Sequence, residues 1–388
     1  MKGRKLLMIP GPIEFDPAVM RAMGAATTSH VAPSFIESFG RSIEMMREVW
    51  MAPAGQPFVV AGTGTLAMDI AGANLTEPGD RVLVVSTGYF GERYAELLKR
   101  YGAEVTVLKS ETGGVVPSDT IESELKRNKY KLLTFTHVDT STAVMVDPKP
   151  IGELGQKYGV LTILDGVCSV AGERIIQEEW GIDVVLTASQ KAVGVPPGLA
   201  LLVASKKAME VWRSRKVPVA NYYADWSNWL PIMEAYEQRR PSYFGTPAVN
   251  LVAALEVSLG MILKEGMENR FLRHERAGMA FRSAIAAMGL GMVPLEEAYA
   301  ANTLTAPRYP DRVDPAAFLK AMSSTDVIVA GGLLPEIRNE YFRVGHMGQV
   351  NRNDLVATVC AIESALLVCG HRCDQGAGVS ALLERYCQ

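Results

Sequence analysis

The sequence predicts an α/β protein with a large domain built on a mostly parallel, seven-stranded sheet, followed by a smaller C-terminal α+β domain. From about residue 56 to residue 205, short apolar runs alternate with amphipathic helical stretches. Runs that are apolar throughout are typical of parallel strands covered on both faces. After residue 248 the pattern changes to longer helices and few strands. The seven runs that we expect to form the sheet are PFVVAG, RVLVVST, EVTVLK, KLLTFTHV, LTILDG, DVVLTAS and LALLVAS.

Helical stretches separate several of these runs, and two of them, GERYAELLKRYG and PIGELGQKYG, end in a glycine suited to a left-handed C-cap. We divide the chain into an N-terminal arm (1–14), a large domain (15–260) and a small domain (261–388). The elements expected beyond the sheet are a long helix from Val249 to Met288, strands near residues 302–309, 326–332 and 341–348, and a closing helix near Asp354 to Leu367.

Charge and hydropathy give no reason to expect several classes of partner. The net charge is only -3, from 39 basic and 42 acidic residues, which gives no reason to expect nucleic acid or an anionic membrane as a partner. The apolar patch near the N-terminus is interrupted by Pro10, Gly11 and Pro12, so it does not resemble a signal peptide. No segment approaches the roughly 18 apolar residues that a membrane span needs.

The five cysteines are an odd number and favour a reducing compartment over a disulfide framework. We expect the cytoplasm, with the mitochondrion and the peroxisome left open as alternatives. We expect no metal site, because the cysteines near the C-terminus show no paired C-x-x-C spacing. These are Cys360, Cys369, Cys373 and Cys387, accompanied by His371.

A glycine- and threonine-rich turn, residues 62–65 in AGTGTLAMD, follows a predicted strand and opens a helix. Free backbone N–H groups and hydroxyls at a helix N-terminus suit a phosphate. A plain capping turn explains the same residues equally well. The turn is neither a dinucleotide fingerprint nor a Walker A loop, because the third glycine of the former and the Gly-Lys-Ser/Thr ending of the latter are missing.

Two charged residues end apolar strands. Asp165 closes LTILD and Lys191 follows DVVLTASQ, so both belong to the edge of the sheet at which open α/β proteins bind ligands. Taken alone, Asp165 is explained as a helix N-cap. Asp165 and Lys191 together are explained as a structural salt bridge. A buried lysine beside Ser189 and Gln190, before a rigid Gly/Pro turn, is better explained as a nucleophilic amine with a lowered pKa.

Two further strand ends carry candidate ligand contacts. THVDTSTAV is either a polar turn or a set of hydroxyls that bind a ligand's oxygens. In TGYFGER, Phe90 stands at a strand-to-helix junction and is either a core residue or a stacking platform for a planar ring.

The Gly/Thr turn, the aromatic, the aspartate and the lysine, in this order, resemble the fold type I enzymes that use pyridoxal phosphate (PLP). Within them the chain resembles the class V aminotransferases of the alanine–glyoxylate and serine–pyruvate group, particularly the fungal type. The resemblance extends along nearly the whole chain. It is carried by LLMIPGPI, PFVVAGTGTLAMD, THVDTSTAV, DGVCSV, EEWGIDVVLTASQKA, YFGTP and YFRVGHMG.

This resemblance implies that Lys191 binds the cofactor as a Schiff base and moves the substrate proton. It implies that Asp165 pairs with the pyridine nitrogen and keeps it protonated. Phe90 would stack on one face of the ring and Val167 would pack on the other. Thr140 would reach the ring hydroxyl.

For the remaining contacts, the resemblance implies that the phosphate is held by both subunits of a homodimer. Two positions depart from the animal relatives, since Thr65 replaces a histidine and Gly166 a serine. The phosphate contacts implied are Thr63, Gly64, Thr65 and Gln190, together with Tyr243 and Thr246 of a second subunit. The substrate contacts implied are Gly11, Thr140 and Arg343, the last as a bidentate clamp on the substrate carboxylate.

The function implied is transfer of an amino group from alanine, or from serine, to glyoxylate, which with alanine gives glycine and pyruvate. No further cation is assignable to a second carboxylate or phosphate, which favours small substrates. The alternatives are a serine–pyruvate or serine–glyoxylate aminotransferase, a PLP lyase such as a cysteine desulfurase, and a non-catalytic relative.

Overall fold

A computed structural model describes residues 5–372 and 374–387. Its strands, numbered in chain order, are β1 (Leu6–Leu7), β2 (Gln56–Ala61), β3 (Arg81–Ser86), β4 (Glu104–Lys109), β5 (Leu132–Thr136), β6 (Val138–Asp139), β7 (Val144–Met145), β8 (Leu161–Asp165), β9 (Val184–Ala188), β10 (Leu199–Ala204), β11 (Leu304–Thr305), β12 (Val327–Ile328), β13 (Ala330–Gly331) and β14 (Phe342–Gly345).

Helices cover both faces of the central sheet and build most of the C-terminal region. In chain order they are α1 (Pro17–Met23), α2 (Pro33–Val49), α3 (Gly64–Leu75), α4 (Tyr89–Arg100), α5 (Ser118–Arg127), α6 (Pro148–Tyr158), α7 (Lys206–Arg213), α8 (Trp226–Glu237), α9 (Val249–Glu265), α10 (Met267–Ala287), α11 (Pro315–Ser323), α12 (Arg352–Val368) and α13 (Ala377–Tyr386).

The central sheet has seven strands in the order β2-β10-β9-β8-β5-β3-β4, and all seven predicted runs form its strands. The pairs β9–β8, β8–β5, β5–β3 and β3–β4 are parallel, whereas β10 is antiparallel to both of its neighbours. The predicted mostly parallel sheet is therefore confirmed. Strands β5, β8 and β9 are buried along their whole length, as continuous apolar runs in a covered parallel sheet must be.

Glycines end helices in the large sheet domain as the sequence predicts. α6 is closed by Gly159 in the left-handed region, with φ 68°. One expectation about helices is wrong: the stretch from Val249 to Met288 is two helices rather than one. The chain breaks at Gly266, where φ is 84° and ψ is 135°. Glycine adopts this conformation without the steric penalty that a side chain imposes. One helix therefore ends here and another begins, although the apolar sequence pattern continues across the break.

Within residues 5–372 and 374–387, the apolar side chains form three hydrophobic cores. The largest joins the central sheet to its helices and includes residues from Val19 to Phe271. A second core, formed mainly by α10, α11, α12 and α13, includes Met8 of the N-terminal arm. A third and smaller core, with Ile13, Ala192 and Tyr341, packs the arm and the C-terminal region against the segments that follow the sheet strands. The proposed domain limits stay predictions.

The strands expected in the C-terminal region are present but short. β11, β14 and β13 form an antiparallel three-stranded sheet. The run at 326–332 is divided into β12 and β13, and β12 pairs in parallel with β1 of the arm. The closing helix is confirmed as α12. Within the part of the chain that the structure describes, no helix is both long enough and apolar enough to cross a bilayer.

Candidate active site

The candidate site lies where β5, β8 and β9 end. Because these strands are parallel and adjacent, their carboxyl ends meet at one edge of the sheet. In the strand register Asp165 stands between Thr136 of β5 and Leu186 of β9. Lys191 follows three residues after the last residue of β9. The structure therefore brings the two predicted catalytic residues to the same edge.

Asp165 is buried, with only 2% of its surface exposed. Its Oδ1 accepts a hydrogen bond from the backbone N–H of Val167 at 3.0 Å. The residues that follow form turns rather than an α-helix, so this carboxylate is not a helix N-cap. Burial raises the pKa of Asp165 to about 6, helped by the charge of Asp139 and opposed by the Val167 N–H and the charge of Lys191.

Lys191 is 8% exposed, and its Nζ donates a hydrogen bond to the carbonyl oxygen of Pro10 in the N-terminal arm. The turn that carries the lysine is fixed by Ser189, whose hydroxyl donates to the carbonyl of Pro196 at 2.8 Å and accepts from the N–H of Leu199 at 3.1 Å. Ser189 thus closes the Gly/Pro turn and holds the backbone of Lys191 in place.

Burial lowers the pKa of Lys191, and the nearby positive charge of Arg343 acts in the same direction. The charges of Cys168 and Asp165 act against this shift. A lowered pKa raises the neutral fraction of the amine, which is the form that attacks a carbonyl group. Asp165 and Arg343 are therefore each close enough to Lys191 to influence its protonation.

Gly11 packs directly on the lysine side chain. Its φ is 112°, a region that side chains disfavour. A Cβ added to Gly11 would lie 2.7 Å from Cδ and 3.0 Å from Nζ of Lys191. A side chain at this position would therefore strain the backbone and displace the lysine side chain; the resemblance assigns the position to substrate contact.

The Gly/Thr turn caps a helix, as expected if it is a capping turn, the alternative to a phosphate site in the sequence analysis. Thr63 is the N-cap of α3, and its hydroxyl accepts from the N–H of Leu66 at 3.4 Å. The side chains of Thr63 and Thr65 are exposed. Gly64 lies so close to Val167 that a Cβ would come within 2.9 Å of a Val167 methyl. The helix N-terminus still offers backbone N–H groups that have no partner within the helix.

Phe90 lies at the N-terminus of α4 and is partly exposed. Its backbone N–H donates to Oδ2 of Asp139 at 3.0 Å. Its ring packs edge-on against Tyr89, with centroids 5.4 Å apart, and the guanidinium carbon of Arg93 lies 5.1 Å from the ring centroid. The ring is held at the site by the helix rather than buried in the core.

Thr140 and Arg343 are joined through the main chain. Nη1 of Arg343 donates to the carbonyl oxygen of Thr140 at 3.1 Å, and Nε donates to the carbonyl of Gly331 at 2.9 Å. Burial lowers the pKa of Arg343, although the charge of Asp139 opposes this shift. The guanidinium therefore sits between the C-terminal region and the segment after β6, beside the lysine.

Tyr243 and Thr246 are both on the surface of the chain. Tyr243 is 62% exposed, and its ring centroid lies 5.3 Å from that of His30. Thr246 is also exposed. The hydrogen bonds and ring contacts that we find among residues 5–372 and 374–387 join neither residue to Lys191.

Sequence reasoning missed four residues of this region. Asp139 and Tyr341 are fully buried and link the segment after β6 to other elements, while Pro10 contacts the lysine and Cys168 lies buried near it. All four lie in runs that carry the resemblance, and the hydroxyl-rich run THVDTSTAV, which contains Asp139, also indicated ligand contacts from its residue types. The other three are brought to the site by contacts that are distant in sequence.

The C-terminal cysteines are dispersed. Cys360 and Cys387 are exposed and Cys369 is partly exposed, while Cys373 lies outside the described residues. Among the residues described, no three side chains of His, Cys, Asp or Glu are grouped as a metal site requires.

The chain's own residues fit pyridoxal phosphate. A buried carboxylate with a raised pKa suits a protonated ring nitrogen, and a buried amine with a lowered pKa suits an aldehyde. Oε1 of Gln190 is buried without a hydrogen-bond partner in the described structure, beside the lysine in sequence. This unsatisfied acceptor and the free N–H groups at the start of α3 indicate a site that a polar ligand completes.

The fold and these residues together define a fold type I aminotransferase that depends on pyridoxal phosphate. The model of the family "Aminotransferase class-V" matches residues 20–332, and the chain belongs to this family.

Two curated relatives are similar over nearly their whole length. The alanine–glyoxylate aminotransferase 1 of Saccharomyces cerevisiae is 39% identical over 361 residues, covering 89% of this chain and 93% of the relative. The serine–glyoxylate aminotransferase of Arabidopsis thaliana is 30% identical over 98% of this chain and 94% of its own. The structure of a ureidoglycine–glyoxylate aminotransferase from Bacillus subtilis superposes with a TM-score of 0.93 at 27% identity, covering 100% of this chain and 99% of the other.

Proposed function

We propose that this aminotransferase moves an amino group from alanine to glyoxylate, with serine as the alternative donor. The observation that carries the proposal is the grouping of Asp165, Lys191 and Arg343 at one edge of the sheet. Both relatives described above are named for glyoxylate, one with alanine and the other with serine. The choice of acceptor is therefore better supported than the choice of donor.

The chain's residues divide the chemistry among them. When bound, pyridoxal phosphate supplies the electron sink that lets the Cα–H bond of an amino acid break. Asp165 would pair with the ring nitrogen and keep it protonated, which would maintain the electron sink. Lys191 would hold the cofactor through Nζ, and its free amine would take the proton from the substrate Cα as a general base and give it to the cofactor as a general acid. Arg343 fixes the substrate carboxylate, which orients the Cα–H bond towards the lysine.

The contacts to the cofactor are also proposals. We assign the phosphate to the N-terminus of α3 and to Gln190, one ring face to Phe90 and the other to Val167, and the ring hydroxyl to Thr140. Gly11 gives substrate room beside the lysine, because any side chain there would occupy the space next to Nζ. The residues at the α3 N-terminus are Thr63, Gly64 and Thr65.

Arg93 supports a second candidate donor. Its guanidinium lies over the ring of Phe90 and donates to the hydroxyl of Tyr89 at 3.1 Å. A cation at this place favours a donor with a second carboxylate, such as aspartate or glutamate. The guanidinium of Arg93 already donates a hydrogen bond and lies over two aromatic rings. We therefore rank a dicarboxylic donor below alanine.

A lyase of the same fold is less well supported. A cysteine desulfurase needs a thiol nucleophile that is accessible over the cofactor. Cys168 is buried, and burial raises the pKa of its thiol, which disfavours the thiolate. Release of sulfide from cysteine by the purified protein would nevertheless favour a lyase over an aminotransferase.

Single-turnover spectroscopy of the loaded protein tests the proposal. Alanine, serine, aspartate and glutamate are mixed with it in turn, and the aminated cofactor is then reoxidised with glyoxylate, pyruvate or 2-oxoglutarate. We expect the fastest half-reactions with alanine and with glyoxylate. A faster half-reaction with aspartate or glutamate would select the second candidate, and no reaction with any of the four donors would contradict the proposal.

We also propose a homodimer whose two sites are shared, with Tyr243 and Thr246 of one subunit contacting the phosphate of the other. Their exposure on the isolated chain supports this arrangement. For the compartment we propose the cytoplasm, in agreement with the free thiols, and keep the mitochondrion and peroxisome as alternatives.

A further inference from the structure

Helix α4 begins at a residue that has no side chain to cap it. Its N-cap is Gly88, so the first N–H groups of the helix must find partners elsewhere. The N–H of Tyr89 donates to the hydroxyl of Ser141 at 3.1 Å, and the N–H of Phe90 donates to Oδ2 of Asp139 at 3.0 Å. The cap of this helix is therefore supplied by another segment, formed by the last residue of β6 and the residues that follow it.

Both oxygens of the carboxylate that serves as the cap accept hydrogen bonds. The other oxygen of Asp139, Oδ1, accepts from the N–H of Ser141 at 2.8 Å and from its hydroxyl at 2.5 Å. Asp139 is fully buried, and burial raises the pKa of its carboxyl, although the hydrogen bonds from Ser141 and Phe90 stabilise the charged form and oppose this shift. Gly88 makes room for this contact, because a Cβ there would lie 2.7 Å from Cγ of Asp139.

The same short segment also contacts the C-terminal region. The carbonyl of Thr140 accepts from Arg343, and the carbonyl of Ser141 accepts from the hydroxyl of Tyr341. Tyr341 is buried, and its hydroxyl also accepts from the N–H groups of Leu333 and Leu334, each at 2.9 Å. Residues 139–141, which we call the cap segment, therefore touch both the helix that carries Phe90 and the strand that carries Arg343.

We propose that Asp139 is a positioning residue that sets the place of the Phe90 ring and of the Arg343 guanidinium together, by capping α4 from the cap segment. This inference deepens the proposed function and rests on it. The backbone of Phe90 is held by the Asp139 carboxylate, and the backbone of Thr140, the next residue in the chain, holds Arg343. Loss of the cap therefore affects both the ring contact and the carboxylate clamp.

The substitution Asp139→Asn tests this with little change in shape. One oxygen of the side chain becomes an NH₂ group, which is a donor. If it faces Phe90, two donors oppose each other, and if it is turned round, it opposes the N–H of Ser141. Either orientation breaks one of the two links. Ser141→Ala is a milder second variant, which removes the partner of Tyr89 and keeps the carboxylate.

The matched control is Asp183→Asn. Asp183 is also a buried aspartate with several donors: the N–H of Thr162 at 3.0 Å, the hydroxyl of Ser205 at 2.9 Å and Nζ of Lys207 at 3.2 Å. It precedes β9, whereas Lys191 follows this strand, so it lies at the opposite edge of the same sheet. Its loss destabilises the protein without touching the cap segment.

The first readout needs no cofactor. Amide hydrogen exchange of the cofactor-free protein is followed by mass spectrometry in peptides that span residues 86–95 and 137–144. Loss of a helix cap is worth roughly a factor of ten in local stability, so we expect about tenfold faster exchange in both peptides for Asp139→Asn. Asp183→Asn should leave these peptides unchanged relative to the rest of the chain.

The second readout uses the loaded enzyme. We expect the circular dichroism band of the bound cofactor to shrink in Asp139→Asn, because the band reports how rigidly the ring is held. We also expect the dissociation constant for 2-methylalanine, which has no α hydrogen to lose, to rise about tenfold, since the clamp is displaced. The control should change neither value.

The outcomes separate this inference from the proposed function. If wild-type protein binds no pyridoxal phosphate, the proposed function fails, whereas the exchange data still test the cap. Exchange in the two peptides that equals that of the Asp183→Asn control would overturn the inference. So would an unchanged cofactor band and unchanged binding of 2-methylalanine. If Asp139→Asn does not fold, Ser141→Ala decides by the same measurements, with smaller changes expected.

Discussion

Arg343 is fixed from two directions by main-chain carbonyl oxygens: Thr140 accepts from Nη1 at 3.1 Å and Gly331 accepts from Nε at 2.9 Å. Thr140 follows β6 beside the central sheet, and Gly331 belongs to β13 of the C-terminal sheet. The orientation of the guanidinium is thus set before any substrate binds, which reduces the entropy lost on binding.

Replacing Arg343 with lysine is expected to weaken substrate binding most. An ammonium group is a point charge and cannot keep both carbonyl contacts while it binds a carboxylate through two parallel hydrogen bonds. We expect a loss of about 2–4 kcal/mol in transition-state stabilisation, measured as kcat/KM for alanine. Arg308→Lys, at an exposed ion pair with Glu340, is the matched control. Unchanged kcat/KM in Arg343→Lys would mean that the carboxylate is held elsewhere.

Asp165→Asn is expected to reduce activity far more than it reduces cofactor content. An amide does not stabilise a protonated ring nitrogen, so the electron sink is lost, while the lysine and the phosphate contacts remain. The measurement is the ratio of turnover to bound pyridoxal phosphate. If activity and cofactor content fall by the same factor, the role of Asp165 is structural only.

The same substitution should stabilise the cofactor-free protein at neutral pH. Burial raises the pKa of Asp165 from its usual 3.8 to about 6, so the folded state binds more protons than the unfolded state between these values. The contribution of Asp165 to the free energy of unfolding of the wild type is therefore fully present below pH 3.8 and is lost as the pH rises through about 6.

Asparagine stays neutral at every pH, so the variant does not lose stability at this position as the pH rises. The difference between the two pKa values corresponds to about 3 kcal/mol, so the variant should gain up to this amount over wild type between pH 4 and pH 7. Urea unfolding of both cofactor-free proteins across this range measures it. A pH-independent difference in stability would show that Asp165 ionises normally in the folded chain.

The sheet and the two strand-end charges could be predicted from the sequence because each signal is local. Seven apolar runs mark seven strands, and a lysine or an aspartate at the end of such a run stands out. The break at Gly266 could not be predicted, since the apolar helical pattern continues on both sides of it. A glycine within a helical pattern is tolerated often enough to give no clear signal.

The links that hold the site together are distant in sequence. Asp139 is 49 residues from Phe90, and Pro10 is 181 residues from Lys191. An aspartate that caps a helix normally precedes that helix, so nothing near Phe90 in the sequence points to Asp139. Contacts of this kind depend on how the sheet edge and the N-terminal arm pack, which residue patterns do not encode locally.

Lys191→Ala is expected to abolish turnover while the protein still folds. Both the covalent link and the proton transfer depend on Nζ, whereas the α3 N-terminus and Gln190 are untouched and can still hold the phosphate. Turnover, thermal unfolding and equilibrium binding of pyridoxal phosphate should be measured on the same preparation, with Lys320→Ala on the exposed side of α11 as control. Near-wild-type transamination by Lys191→Ala would end the assignment.

Mixing two inactive variants is expected to restore activity if the sites are shared between subunits. One variant is Lys191→Ala, and the other is Tyr243→Ala/Thr246→Ala, whose exposed residues we assign to the partner's phosphate. In a mixed dimer one site collects both defects, whereas the other has an intact lysine and intact phosphate contacts. With equal random mixing about half of the dimers are mixed, so roughly a quarter of all sites should regain activity.

Native mass spectrometry must show that mixed dimers form, and each parent must be inactive alone. Under those conditions, absence of recovery would mean that the phosphate contacts come from the same chain as the lysine.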